Sequence, residues 1–410
     1  MPRLAWTVLA VLGLWRVVGA ASYPPLQPLI DAAAPGAVIK LDAGTYAGPV
    51  VIRKPIILDG RNEVTIDGGG KGSVVVLETD GATVRNLKLV NSGDSFDGVD
   101  AGVQVRGNFN VISDNRIDNT LFGVDLQQSS SNVVRRNHIR SKPVDLGLRG
   151  DAVRLWYSFK NRVLDNEFVD SRDVVVWYSE DNLISGNSGT GGRYSMHFMY
   201  SKYNLVEKNR FWNNSVGIYV MYSDGVVLRD NYIAHATGAT GMGLGLKESS
   251  EVKIERNKIM YCASGINIDQ SPYQPDTVDE FTANVIAYNG IGIEFNDQAR
   301  IGNVFRNNVI KGNLTPLAAR SRASAIKQTF EGNYWEDYEG FDRDGDGYGD
   351  TPHEMYSYAD RIWMDVPLAQ FFKGSPMMEF LDFLERLAPF TEPDILMRDA
   401  KPRMSEEFTL

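Results

Sequence analysis

The sequence predicts an all-β fold: a right-handed parallel β-helix of three-strand coils about 22 residues long, with an N-terminal cap and a short helical C-terminal extension. Two observations predict it. Asparagine recurs in short β-rich phrases at Asn115, Asn137, Asn166, Asn187, Asn209, Asn231 and Asn257. The spacing is 21 or 22 residues except where "SKPVDLGLRG" and "HATGATGMG" intervene. A second asparagine precedes the first by five residues, at Asn110, Asn132, Asn161, Asn182 and Asn204. Helical repeats are longer and carry a 3.6-residue apolar period, which is absent here, so the period belongs to a solenoid of strands. Asparagine suits sharp corners because it tolerates left-handed backbone, and its amide bonds to the amides above and below when coils stack. The hand is the one such folds take, not a property of the spacing.

The elements follow in chain order. Residues 1–21 carry Arg3, an apolar run from Leu4 to Trp15 and small residues at Gly19–Ala21, the pattern of a secretory signal and too short to span a bilayer. Export places the mature chain outside the cytoplasm. Residues 22–335 form the solenoid, whose open first coil the amphipathic "LQPLIDAAAPG" caps. Residues 336–374 hold an acidic Asp/Gly loop and the end of the solenoid, and residues 375–410 a helix and a docking arm. A formal charge of −10 and a pI near 5.1 exclude nucleic acid as the main partner, which would need clustered Lys and Arg. The lone Cys262 cannot form an internal disulfide and reads as a small buried side chain.

Aligning coils on their asparagines sorts the side chains. Val124, Val153, Val174, Met196, Ile218 and Leu244 form one apolar column, and Leu126, Leu155, Val176, Phe198, Val220 and Leu246 another. Both face the interior, so strand alternation sends their neighbours outward. One outward column reads Asp125, Arg154, Val175, His197, Tyr219, Gly245, and the next Gln127, Trp156, Trp177, Met199, Met221, Lys247. Tyr157, Tyr178, Tyr200 and Tyr222 stand beside them. With coils about 4.8 Å apart, His197, Met199 and Met221 can converge on one ion. Imidazole and thioether donors suit a transient copper(I), not zinc or calcium. One histidine and two thioethers make a weak site alone, so the row with Trp156, Trp177 and Tyr219 reads first as a docking surface, to which a partner brings the metal.

Further on, "FDRDGDGYGD" sets Asp342, Asp344, Asp346 and Asp350 on a glycine-rich loop. Its first half matches a calcium-loop pattern and its second half does not, so it is a candidate for a structural calcium ion. Ser375–Pro376 then start a helix that Pro389 ends. Met377, Phe380, Leu381, Leu384 and Leu387 fall on one face, and Phe383 widens it beyond what capping the solenoid needs. That surplus suggests a docking arm.

"GRYSMHFMYS", "GNYWEDYEGFDRDGDGYGDTPHEMY" and "GSPMMEFLDFLERLAPFTEPDILMRDAKPR" together resemble the NosD family, periplasmic maturation proteins of nitrous oxide reductase. The resemblance covers nearly the whole mature chain. It implies a non-enzymatic protein bound to an ABC transporter permease, with ATP hydrolysis left to a cytoplasmic ATPase. Contact with the membrane runs only through the permease. It also implies roles for a copper-chaperone lipoprotein and for nitrous oxide reductase as partners. It supplies no metal ligands. The competing expectation is a carbohydrate-binding or polysaccharide-modifying β-helix, with Asp125, Arg154, Asp173 and His197 as its polar groups and Trp156 and Trp177 as sugar platforms. A calcium-clasped adhesin without a specific partner is the third.

Overall fold

A computed structural model describes residues 23–238, 240–296, 300–319, 325–357, 372, 375–387 and 394–407. The expected signal segment, residues 1–21, lies outside them. The chain winds into a right-handed parallel β-helix. Twelve parallel strands, from Val50–Ile52 to Thr315–Ala319, stack as one sheet, called here the front wall. Each complete coil adds two more strands to a second sheet that wraps the other two walls.

Front-wall register matches the columns read from sequence. Asp125, Arg154, Val175, His197, Tyr219 and Gly245 are successive strand partners, and so are Gln127, Trp156, Trp177, Met199, Met221 and Lys247. Between them Leu126, Leu155, Val176, Phe198, Val220 and Leu246 are buried. Alternation of apolar and polar residues selects this register, because a one-residue slip would turn every core side chain outward.

Buried asparagines tie the coils together. The Asn137 backbone N–H donates to Oδ1 of Asn166 at 3.0 Å and its Nδ2 donates to the same oxygen at 2.9 Å, while Nδ2 also reaches the carbonyl of Ile112. The pattern repeats through Asn166, Asn187, Asn209, Asn231 and Asn257, then through Asn284, Asn308 and Asn333. The left-handed residue at this corner is the one before each asparagine, as at Asp165 (φ 53°), Lys208 (φ 55°) and Asp230 (φ 55°). The asparagine is therefore selected for its amide, not for left-handed tolerance.

Both ends are closed. At the start, the helix Gln27–Ala32 buries Leu26 and Ile30 against the first coils. Gln27 covers the edge of the first front strand, its Oε1 accepting the N–H of Val51 at 2.8 Å and its Nε2 donating to the carbonyl at 3.0 Å. At the far end Asp399 takes the place of the next asparagine. Its carboxylate accepts the N–H and Nδ2 of Asn333 and the indole N–H of Trp335, at 2.9–3.1 Å.

Asp399 belongs to the strand Asp394–Asp399, which runs antiparallel to His353–Ser357 and buries Leu396 and Met397. "DILMRDAKPR", expected in a docking arm, is thus the terminal rung of the solenoid. Its alternating apolar residues complete the core, and Asp399 satisfies donors that the last asparagine leaves open. The helix Pro376–Leu387 lies in the excursion between these two strands. Six of its apolar residues, Met377, Phe380, Leu381, Phe383, Leu384 and Leu387, are exposed, with Met377 at 69% and Leu387 at 66%.

Candidate functional site

His197 sits in the middle of the front wall on the strand Tyr194–Met199, between Asp173–Trp177 and Val216–Met221. Its Nε2 lies 3.2 Å from Sδ of Met221. Met199 is the strand partner of both Met221 and Trp177, so the imidazole and both thioethers share one external wall. Tyr194, which the sequence columns left out, stacks on the imidazole with ring centroids 4.8 Å apart. Tyr219 lies nearly parallel to the imidazole at 6.4 Å, beside Tyr194 at 6.0 Å from that ring, and Trp177 presents an edge at 6.1 Å. Packed among these rings, His197 is only 7% exposed.

This enclosure sets the chemistry. Burial lowers the His197 pKa below its ordinary value, so the ring is neutral and offers a lone pair. Nδ1 is buried and makes no hydrogen bond, and the same holds for the indole N–H of Trp177. Burial pushes the Tyr219 hydroxyl up to about 12 and the Cys262 thiol up to about 11, so neither supplies an anionic ligand at neutral pH. A neutral imidazole with thioethers, and no thiolate, fits a soft monovalent ion such as copper(I).

Met242 is a second residue missed by column alignment. A Cβ on Gly245 would lie 2.7 Å from the Met242 thioether and 2.5 Å from the Tyr219 ring, so both fill the space above Gly245. A local irregularity in strand alternation places Met242 there. Only the absence of a side chain at 245, visible in the column, hinted that a neighbour occupies its place.

The aromatic residues around the site spend their faces on one another. Tyr157, Tyr178, Tyr200 and Tyr222 stack in sequence at 4.8, 5.2 and 4.8 Å. The Arg154 guanidinium lies 4.8 Å over the Trp156 ring, and Trp177 meets Trp156 edge-on. A sugar platform needs a free ring face, and these rings chiefly present edges. The acids are withdrawn as well. Asp125 is fully buried against Arg154, Asp151 against Arg172 and Asp173 against Arg193. Burial raises Asp125 and pushes Asp151 up to about 7.

At the end of the solenoid, Asp342, Asp344 and Asp346 bring carboxylate oxygens within 4.8 Å of one another. Asp350 stands apart, accepting the N–H of Arg343 at 2.8 Å. On the helix, Phe380, Leu381, Phe383 and Leu384 are exposed together with Met377 and Leu387. Among the described residues no helix is long and apolar enough to cross a membrane.

Comparison with known proteins places this geometry. The family described as "Periplasmic copper-binding protein (NosD)" matches residues 139–340, the coils that carry His197, Met199 and Met221. A protein of Pseudomonas aeruginosa named "Probable ABC transporter binding protein NosD" is 27% identical, over 89% of this chain and 87% of its own. One of the same name in Stutzerimonas stutzeri is 25% identical, over 85% and 83%. Among solved structures, the A-module of the Azotobacter vinelandii mannuronan C-5 epimerase AlgE4 superposes with a TM-score of 0.57. It is 16% identical, over 73% of this chain and 95% of that one. The AlgE6 A-module gives 0.54 at 17% identity, over 72% and 90%. At such identities these likenesses speak for the solenoid alone. The matches by sequence cover most of the chain, and by them the chain resembles the NosD family.

Proposed function

We propose that this protein is a non-enzymatic periplasmic assembly factor that receives copper(I) on its front wall and passes it toward the copper centres of nitrous oxide reductase. The observation that carries this is the pair of His197 Nε2 and Met221 Sδ at 3.2 Å, ring-enclosed and flanked by Met199. The family's description as copper-binding supports it. A partner delivers the ion, a copper-chaperone lipoprotein docking on the row of Trp156, Trp177, Met199 and Tyr219. Copper(I) competition binding tests the site. Met199→Ala/Met221→Ala lowers affinity at least about tenfold, a thioether being a principal donor; unchanged affinity leaves docking alone.

Attachment to an ABC transporter permease, and through it to a cytoplasmic ATPase, goes through the exposed apolar residues of the helix Pro376–Leu387. The names of the relatives support that partner class. Phe380→Asp/Leu384→Asp abolishes co-purification with the permease while copper(I) affinity stays unchanged. Retained co-purification would place the contact elsewhere. Asp342, Asp344 and Asp346 hold a structural calcium ion, seen as a thermal transition that rises with calcium and falls with chelator. A carbohydrate reading is disfavoured by stacked ring faces and buried, paired acids.

A further inference from the structure

His197 borders a charge cluster that the donor set does not use. Asp173, 2% exposed, accepts the backbone N–H of Tyr194 at 3.0 Å and Nε–H of Arg193 at 3.1 Å through Oδ1, and takes Nη2 of Arg193 on Oδ2. Arg172 lies 3.0 Å from Asp151 and 3.6 Å from Asp173, bridging the two acids. The Arg193 guanidinium also sits 4.9 Å over the Tyr194 ring, the ring that roofs the imidazole. Asp173 pairs with Tyr194 across the strands and Val175 with His197, so the cluster lies beside the imidazole on the same wall, where Asp173 favours a charged ring and Arg193 and Arg172 oppose it. One cation therefore both occupies the nearby carboxylate and holds the aromatic roof.

The cost of taking an ion out of water rises with the square of its charge, so a divalent ion pays about four times what a monovalent ion pays. A soft monovalent ion recovers that cost from thioether and imidazole donors, whereas a divalent ion also needs negative charge close by. Asp173 is the carboxylate placed to supply it, and two arginines cancel it.

We propose that Arg193, assisted by Arg172, sets the valence selectivity of the His197–Met221 site by neutralising Asp173, so that the wall accepts soft monovalent cations and refuses divalent ones. This rests on the metal site proposed above. An opposite charge a few ångströms away shifts proton binding by about one to three log units, and a dipositive ion feels that field more strongly. Arg193→Gln should therefore raise cobalt(II) affinity by at least about tenfold. Asp173→Asn should lower silver(I) affinity, because Arg193 then faces the site uncompensated. Asp173→Asn/Arg193→Gln should return both affinities close to wild type.

The test titrates the purified protein with silver(I), read by tryptophan fluorescence, and with cobalt(II), read by a ligand-field band that His197→Ala removes. Silver(I) binding by Arg193→Gln shows that the wall is folded, and a new His197-dependent cobalt(II) band then supports the proposal. Silver(I) binding without any cobalt(II) gain overturns the valence proposal and leaves the metal site standing. If Arg193→Gln fails to fold, unchanged silver(I) affinity in Asp173→Asn overturns it and a loss supports it. Wild-type protein that binds no silver(I) overturns the metal site itself, and with it this inference.

Discussion

Replacing Asp279 by asparagine tests the energetic logic of the solenoid. Asp279 is fully buried in the second asparagine column, where Asn110, Asn132, Asn161, Asn182 and Asn204 are followed by Val226 and Val252. Its Oδ1 accepts the N–H of Val252 at 2.9 Å, as an asparagine oxygen would, while Oδ2 is buried without a partner. Burial pushes its pKa up to about 8, against about 3.9 for an unfolded carboxyl. A raised folded pKa stabilises the fold fully below pH 4. That contribution is lost as pH rises from about 4 to about 8, at about 1.4 kcal/mol per pH unit, and the loss is complete above pH 8. Asparagine has the same shape and no charge to acquire. At pH 7 the variant should gain stability on the order of 2–4 kcal/mol, the upper value being three pH units of that slope, and almost nothing at pH 4. Urea unfolding of both proteins from pH 4 to pH 9 gives a difference curve in which other titrating groups cancel. A flat difference curve, or a variant less stable at pH 8, would refute the account.

Other perturbations have equally direct outcomes. Asn209→Ala removes the acceptor of the Asn187 N–H and Nδ2 and the donor to the Ile184 carbonyl, at 2.9–3.0 Å. It should cost about 2–4 kcal/mol of unfolding free energy, measurable in urea. Asp399→Ala strips the terminal cap from Asn333 and Trp335. It should accelerate hydrogen exchange in the last coils while the first coils keep their protection, since a solenoid loses structure from an opened end. Gly245→Ala puts a methyl group into the Tyr219 ring and should cost about 1–3 kcal/mol, changing near-ultraviolet dichroism and weakening silver(I) binding together.

The solenoid was legible in the sequence because its physics repeats. Each coil solves the same hydrogen-bond and packing problem, so one asparagine spacing and one alternation fix the interior columns, the outward columns and their register. What escaped was non-periodic. Tyr194 and Met242 enter the site through irregular strand alternation, which a column alignment averages away. Asn284 was passed over because "TANVI" lacks the charged residue or glycine that precedes the asparagine in most other coils. Asp399 was missed because the residue completing the ladder comes 66 positions after Asn333 and bears a different side chain. The tethering of "DILMRDAKPR" was hidden for the same reason, since a strand added from a distant segment leaves no local period.

That distant strand bears on how the two proposed working surfaces communicate. The segment carrying the exposed helix begins at His353–Ser357 and returns at Asp394–Asp399, and both strands belong to the last rung. Any pull on the helix is therefore delivered to the solenoid at two points that share hydrogen bonds. From the strand Thr315–Ala319 back to Tyr194–Met199 there are five steps along the front wall, roughly 24 Å at the spacing of stacked strands. Each step is locked by buried amides as well as backbone pairing. A rod held in this way transmits displacement more readily than internal rearrangement. Movement of a transporter would thus carry the His197 wall bodily from one partner to another, with the metal site itself unchanged. Silver(I) affinity in the isolated protein should accordingly match that in the transporter complex with and without nucleotide; a nucleotide-dependent change in intrinsic affinity would show that the solenoid flexes.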